Sequence, residues 1–155
     1  QALEKPDMMS MAKAIGSGVP VGAFAMTEDV AKDSLEPGDH GTTYGGNPLV
    51  CTAVAKTLEI FEKERLTEHV KEIGAYLEER LDELAASEDT VLERRGTGLI
   101  QGIRLTKPAG EVTARAMEEG LVIITARSDV IRFVPPMVIA KEHVDEMIEK
   151  LKKSL

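Results

Sequence analysis

Met8-Met9-Ser10-Met11-Ala12-Lys13-Ala14-Ile15-Gly16-Ser17-Gly18-Val19-Pro20-Val21-Gly22-Ala23-Phe24-Ala25-Met26 places two short apolar runs around a joint of glycine and proline. Runs this short and rich in small residues, bracketing Gly16-Ser17-Gly18-Val19-Pro20, read as strand, turn and strand over 8–12 and 21–26. Lys13 closes the first run. An apolar setting there favours a neutral amine able to form an imine, and the glycines let backbone approach a planar cofactor. The same residues also describe a lysine at a strand end, reaching out to solvent. Both readings stand on this segment alone.

Moving outward, Thr27 followed by Glu28 and Asp29 suits the start of a short helix to Leu35, with acids at its positive end. Pro37 and Gly38 open a polar loop to Gly46, and Asn47-Pro48 is a helix start, a capping side chain followed by proline at the first helical position. Val50, Val54, Leu58 and Phe61 recur on one face of that helix, with Lys56, Glu59, Glu62 and Lys63 opposite. A second helix carries the stripe Leu66, Val70, Ile73, Leu77, Leu81 and Leu84, and its acidic opposite face reads as a solvated surface. Beyond Asp89, strands are expected at 90–94, 99–105, 121–125 and 130–134, with helices at about 110–119 and 141–153. Gly120 suits the position just past a helix C-terminus. The class is α/β.

Composition narrows the functions. The chain has 155 residues and a net charge of −8, which disfavours a nucleic-acid or anionic-membrane partner. With 43% hydrophobic and 30% charged residues it has the balance of a soluble globular protein. One cysteine, Cys51, leaves no internal disulfide framework and fits a reducing compartment, hence the cytoplasm. Two tyrosines, three phenylalanines and no tryptophan make a base-stacking surface improbable. His40, His69 and His143 are isolated, so a metal site has little support, and neither a phosphate loop with its lysine nor a Gly-x-Ser-x-Gly turn occurs. The opening Gln1 and the immediate apolar segment suggest the middle of a longer protein, or a trimmed terminus.

Two further segments carry chemistry. Gly41-Thr42-Thr43-Tyr44-Gly45-Gly46-Asn47-Pro48 gathers two hydroxyls and flexible amides before a helix, which suits a phosphate; the same residues also serve as a capping loop. In Val130-Ile131-Arg132-Phe133-Val134-Pro135-Pro136, an arginine inside an apolar strand must find an anion if buried, and its planar fork suits a carboxylate; on the wet face of the strand it needs none. Arg104 and Arg127 read as surface charges.

Taken in order, these three segments resemble the class III (ornithine-type) aminotransferases, members of the fold-type I pyridoxal-phosphate enzymes. Lys5-Pro6-Asp7, Pro37-Gly38-Asp39-His40-Gly41, Arg95-Gly96-Thr97-Gly98-Leu99-Ile100-Gln101-Gly102 and Gly120-Leu121-Val122 are also similar to family segments, so the likeness covers essentially the whole chain. The run from Pro37 to Pro48 is most similar to the acetylornithine branch. The resemblance implies the C-terminal part of that fold: the end of the large cofactor domain over 1–65, a linking helix over 66–87, and a small α/β domain over 88–155. It implies that Lys13 forms the Schiff base with pyridoxal 5′-phosphate and shuttles the proton. Thr43, with Thr42 beside it, would reach the cofactor phosphate of the neighbouring subunit in a homodimer, and Arg132 would pair with the substrate α-carboxylate. The implied reaction moves the δ-amino group of N-acetylornithine to 2-oxoglutarate, a step of arginine biosynthesis.

The same resemblance puts the family's aspartate at the pyridine nitrogen, its phosphate-binding turn and its stacked aromatic upstream of Gln1. The chain alone is therefore expected not to be a competent transaminase. Ser17 stands where the family more often has glycine. Two alternatives remain: another ω-aminotransferase acting on ornithine, 4-aminobutyrate, succinylornithine or a carrier-bound lysine, and a non-catalytic assembly module that docks through its amphipathic helices.

Overall fold

The computed structural model describes residues 5–155, and the chain divides into two compact units at Glu64/Arg65. In the first unit, β1 (Met8–Ala12) and β2 (Gly22–Met26) form an antiparallel ribbon with Met8 opposite Met26 and Ala12 opposite Gly22. The expected strand, turn and strand are all present, but the joint opens with a one-turn 3₁₀ helix over Lys13–Gly16. Helix α1 spans Glu28–Ser34 and α2 spans Pro48–Lys63.

Capping separates the two helices. Asn47 Oδ1 accepts from the Val50 amide at 3.0 Å while its Nδ2 donates to the Tyr44 carbonyl at 2.9 Å, so one side chain both starts α2 and ties down the preceding loop. Thr27 occupies the N-cap of α1 but its hydroxyl does not cap the helix; the oxygen is buried with no partner among the described residues, and only the backbone carbonyl serves, accepting from Ala31. The packed face of α2 is also rotated from the expected stripe. Thr57 is buried and Leu58 is 54% exposed, because the hydroxyl of Thr57 lies 3.0 Å from that of Ser17 and 2.8 Å from the Ala53 carbonyl. A polar contact to the glycine joint thus takes the place of a leucine.

The second unit begins with α3 (Leu66–Ser87) and continues through β3 (Val91–Thr97), β4 (Ile100–Leu105), α4 (Ala109–Glu118), β5 (Ile124–Arg127), β6 (Val130–Phe133) and α5 (Lys141–Ser154). Its sheet is antiparallel throughout in the order β3-β4-β6-β5. Period-two alternation decides the faces: Gln101, Ile103, Leu105, Ile131 and Phe133 point inward, while Gly102, Arg104, Val130 and Arg132 point outward. Against the inward face lie Ile73, Leu77, Leu81 and Leu84 of α3, Val112 of α4, and Val144, Ile148 and Leu151 of α5. The helix expected as a linker is therefore part of the second unit, since the stripe on α3 is the centre of that unit's core. Each fully buried leucine contributes about 1.5–3 kcal/mol by leaving water.

The strand expected at 121–125 begins three residues later. The Gly120 amide donates to the Met117 carbonyl and the Leu121 amide to that of Ala116, at 3.0 and 2.7 Å, which closes α4 in a Schellman motif. Gly120 holds the φ of +74° that this motif requires. Pairing with β6 then starts at Ile124.

Gly74 marks the tightest approach between α3 and the β3–β4 turn. A β-carbon there would stand 2.7 Å from Gly98 Cα and 2.8 Å from its carbonyl carbon, both backbone atoms that cannot swing away. Gly74→Ala is expected to destabilise the unit by about 1–3 kcal/mol, the cost of overpacking exceeding the gain in helix propensity. Gly110, in the first turn of α4, has open space instead, with nothing within 4 Å of where a β-carbon would stand. Gly110→Ala is expected to stabilise by about 0.5–1 kcal/mol, giving opposite signs for one chemical change in paired urea titrations.

Candidate functional site

Lys13 leaves the end of β1 with a φ of +59°, in the left-handed region that a side chain normally avoids, and Ser17 closes the same turn at +46°. Such a conformation costs on the order of 1–3 kcal/mol and persists only where the surroundings impose it. The surroundings are local: the Ser17 amide donates to the Ala14 carbonyl at 3.0 Å and the Val19 amide to that of Gly16 at 3.2 Å. The backbone therefore fixes where Lys13 departs from the ribbon. The apolar setting considered for its ammonium is not found within the unit, because the side chain is exposed. It forms no ion pair or hydrogen bond among the described residues.

Thr42 and Thr43 lie in the loop before α2, both exposed. The Thr42 carbonyl accepts from the Gly45 amide at 3.2 Å, and Gly46 has a φ of +69°. Thr42 borders an apolar hollow of about 570 Å³ with Val21, Ala23, Val50 and Leu58; Lys13 and Thr43 do not line it. Neither the hydroxyl nor the amide of Thr43 is bonded within the described residues, so its donors are free to meet a ligand.

Arg132 lies in the second unit, on β6 between the buried Ile131 and Phe133. Strand alternation turns it outward, opposite Gly102 on β4 and Ile124 on β5. The buried arginine with an obligatory anion, one of the two readings of this segment, is thus replaced by an exposed guanidinium with no carboxylate partner among the described residues. It borders an apolar hollow of about 370 Å³ lined by Leu121, Ile123, Phe133, Pro135 and Val144.

Arg94, on the helix-facing side of β3, shows what a committed guanidinium looks like: it is bonded to Glu78, Asp82 and Gln101, and the Asp82 hydrogen bond foremost holds its pKa above the ordinary value. The histidines have structural duties. His69 bonds the Ile139 carbonyl at 2.8 Å, His143 Nδ1 accepts from the Ala140 amide at 2.9 Å at the start of α5, and His40 meets the Phe24 ring edge to face. Among the described residues no group of three or more His, Cys, Asp or Glu is placed to hold a metal, and no helix is long and apolar enough to cross a membrane. Linear reading missed that Arg95, Arg104, Arg127 and Arg132 share one sheet face. The signal was available in the parity of Arg104 and Arg132 against the apolar Ile103 and Ile131, but only strand register joins the strands.

Comparison with known proteins places this geometry. The family description Aminotransferase class-III matches residues 2–155. An acetylornithine aminotransferase of Aquifex aeolicus is 42% identical over 97% of this chain and 38% of its own length, and that of Methanocaldococcus jannaschii is 39% identical over 95% and 37%. Among solved structures, an ornithine δ-aminotransferase of Plasmodium falciparum superposes with a TM-score of 0.90 at 32% identity, covering 98% of this chain and 39% of that one. The chain spans under two-fifths of the length of the curated relatives it matches. With essentially every residue matched, the chain belongs to the class-III aminotransferases.

Proposed function

We propose that this chain is part of a pyridoxal-phosphate-dependent transaminase that moves the δ-amino group of N-acetylornithine to 2-oxoglutarate, in the cytoplasm and in the service of arginine biosynthesis. The observation that carries the reading is Lys13: a lysine held in a left-handed turn at a strand end, its ammonium exposed and unpaired among the described residues. The acetylornithine aminotransferases at about 40% identity support the choice of substrate.

The donor set fits the cofactor. An uncommitted primary amine suits its aldehyde, and two threonine hydroxyls with free amides in a glycine-rich loop suit its phosphate. When bound, pyridoxal phosphate supplies a carbonyl that accepts the amino group and a conjugated ring that spreads the electron pair left at the substrate carbon. Lys13 Nζ would hold the cofactor and then take the proton from the amine-bearing carbon as general base. The Thr42 and Thr43 hydroxyls would donate to phosphate oxygens, Thr43 across a homodimer interface. Arg132 would pair side-on with the substrate α-carboxylate and so orient the reacting end. We further propose that residues beyond these 155 complete the site, so the isolated chain does not turn over.

The test is borohydride trapping after titration with pyridoxal phosphate, followed by peptide mapping. Of the chain's eleven lysines, Lys13 is expected to take the label saturably and in preference. Equal labelling across the surface lysines of the complete enzyme would overturn its role. The ornithine δ-aminotransferase similarity favours one second reading, in which free ornithine is the donor. Side-by-side kinetics with both amines in the complete enzyme separates them.

A further inference from the structure

Four of the chain's eight arginines lie on the outward face of one small sheet, in a chain whose net charge is −8. The strands contribute no lysine to this face. Register sets the pattern: Arg95 is opposite Gly102, which is opposite Arg132; Arg104 is opposite Val130, which is opposite Arg127. Arg104 and Arg127 therefore flank one intervening strand, roughly 9.5 Å apart at the backbone, a span that two long side chains can close around a small ligand. Between these rows runs a cleft of about 350 Å³ lined by Arg95, Arg104, Arg127, Asp129, Gly102 and Val130. Gly102 leaves its floor open to backbone.

The acids nearby do not neutralise the cleft. Glu93 is bonded by Arg95 at 2.6 Å and Arg104 at 2.7 Å, one carboxylate shared by two forks. Those bonds, led by the one from Arg95, hold its pKa below the ordinary carboxylate value. Arg127 has no carboxylate partner among the described residues, although Asp129 lines the same cleft. Three arginines against Glu93 and Asp129 leave one positive charge, and Arg132 on the same face adds a second. Each guanidinium presents five N–H donors in a plane, most of them unused here, and that geometry matches carboxylate and phosphate oxygens.

We propose that the cleft formed by Arg95, Arg104 and Arg127 is a binding site for a small dianion, a dicarboxylate or a phosphate. The inference shares only the charge of Arg132 with the transaminase reading: trapping at Lys13 reports on that reading, whereas the side chains of Arg95, Arg104 and Arg127 report on this one.

The test follows the arginine Nε–H resonances of the full chain by NMR during titration with succinate and, separately, with inorganic phosphate, at constant ionic strength set by chloride. Saturable shifts at Arg95, Arg104 and Arg127 are expected with at least one probe, and the probe that binds names the chemistry. Arg104→Gln combined with Arg127→Gln is expected to weaken binding about tenfold. Glu93→Gln, which frees two forks, is expected to tighten it roughly threefold. These positions are exposed or half-buried, so the variants keep the core intact. No saturable shift with either probe, shifts that survive the double substitution unchanged, or weaker binding in Glu93→Gln would each overturn the proposal.

Discussion

Exchange of Lys13 for alanine is expected to lower kcat of the complete transaminase by about 10³-fold or more, since a positioned general base alone contributes roughly 10²–10⁴. Loss of cofactor attachment adds to that figure. The side chain is exposed and forms no ion pair or hydrogen bond among the described residues, so the variant should unfold at the same denaturant concentration as the parent. A small amine such as ethylamine is expected to restore part of the rate, because it can occupy the space of the missing chain and carry the same proton. Lys13→Arg is expected to fold equally well and remain inactive, since a guanidinium stays protonated and forms no imine. An alanine variant with near-parental kcat would remove Lys13 from the chemistry.

Leu81→Ala carries the largest expected effect on stability. Leu81 is fully buried on α3, in the cluster with Leu77, Leu84, Ile103 and Ile148. Removing a buried leucine side chain costs about 2–5 kcal/mol, the transfer free energy plus that of the cavity left behind. The upper half of that range is expected here, because helices and sheet both border the site and leave little room to relax. Urea unfolding followed by circular dichroism, with Leu58→Ala as the exposed counterpart, measures it. Leu58 is 54% exposed in the first unit, and its loss should change little. A change below about 1 kcal/mol at Leu81 would show that the core repacks around the cavity.

The elements that were legible in the sequence are those with strong local signals. Asn47-Pro48 announced α2, the six-residue apolar stripe announced α3, and Gly120 announced the end of α4, each through chemistry confined to one turn. The two strands on either side of Lys13 were legible for the same reason, as short apolar runs bracketing glycines. What escaped depended on distant residues. The buried Thr57 answers to Ser17 forty positions earlier, so no helical periodicity could favour it over Leu58. The outward placement of Arg132 and its grouping with Arg95, Arg104 and Arg127 follow from strand pairing across a thirty-residue gap, which hydropathy does not encode. Thr27 shows the converse, where a residue of the right type at an N-cap leaves its hydroxyl unused.

The place of α3 at the centre of the second unit bears on how that unit comes into being on the ribosome. The leucines of α3 are synthesised before anything that covers them, and the final cover, Val144, Ile148 and Leu151 of α5, arrives last. At ordinary elongation rates the interval from Ser87 to Leu151 is roughly 3–13 s, long compared with the time in which a helix forms. Until that interval closes, the core around the leucine ridge lacks its α5 cover. A nascent chain halted before α5 should therefore be the species that chaperones hold and proteases cut, and release of α5 should end both.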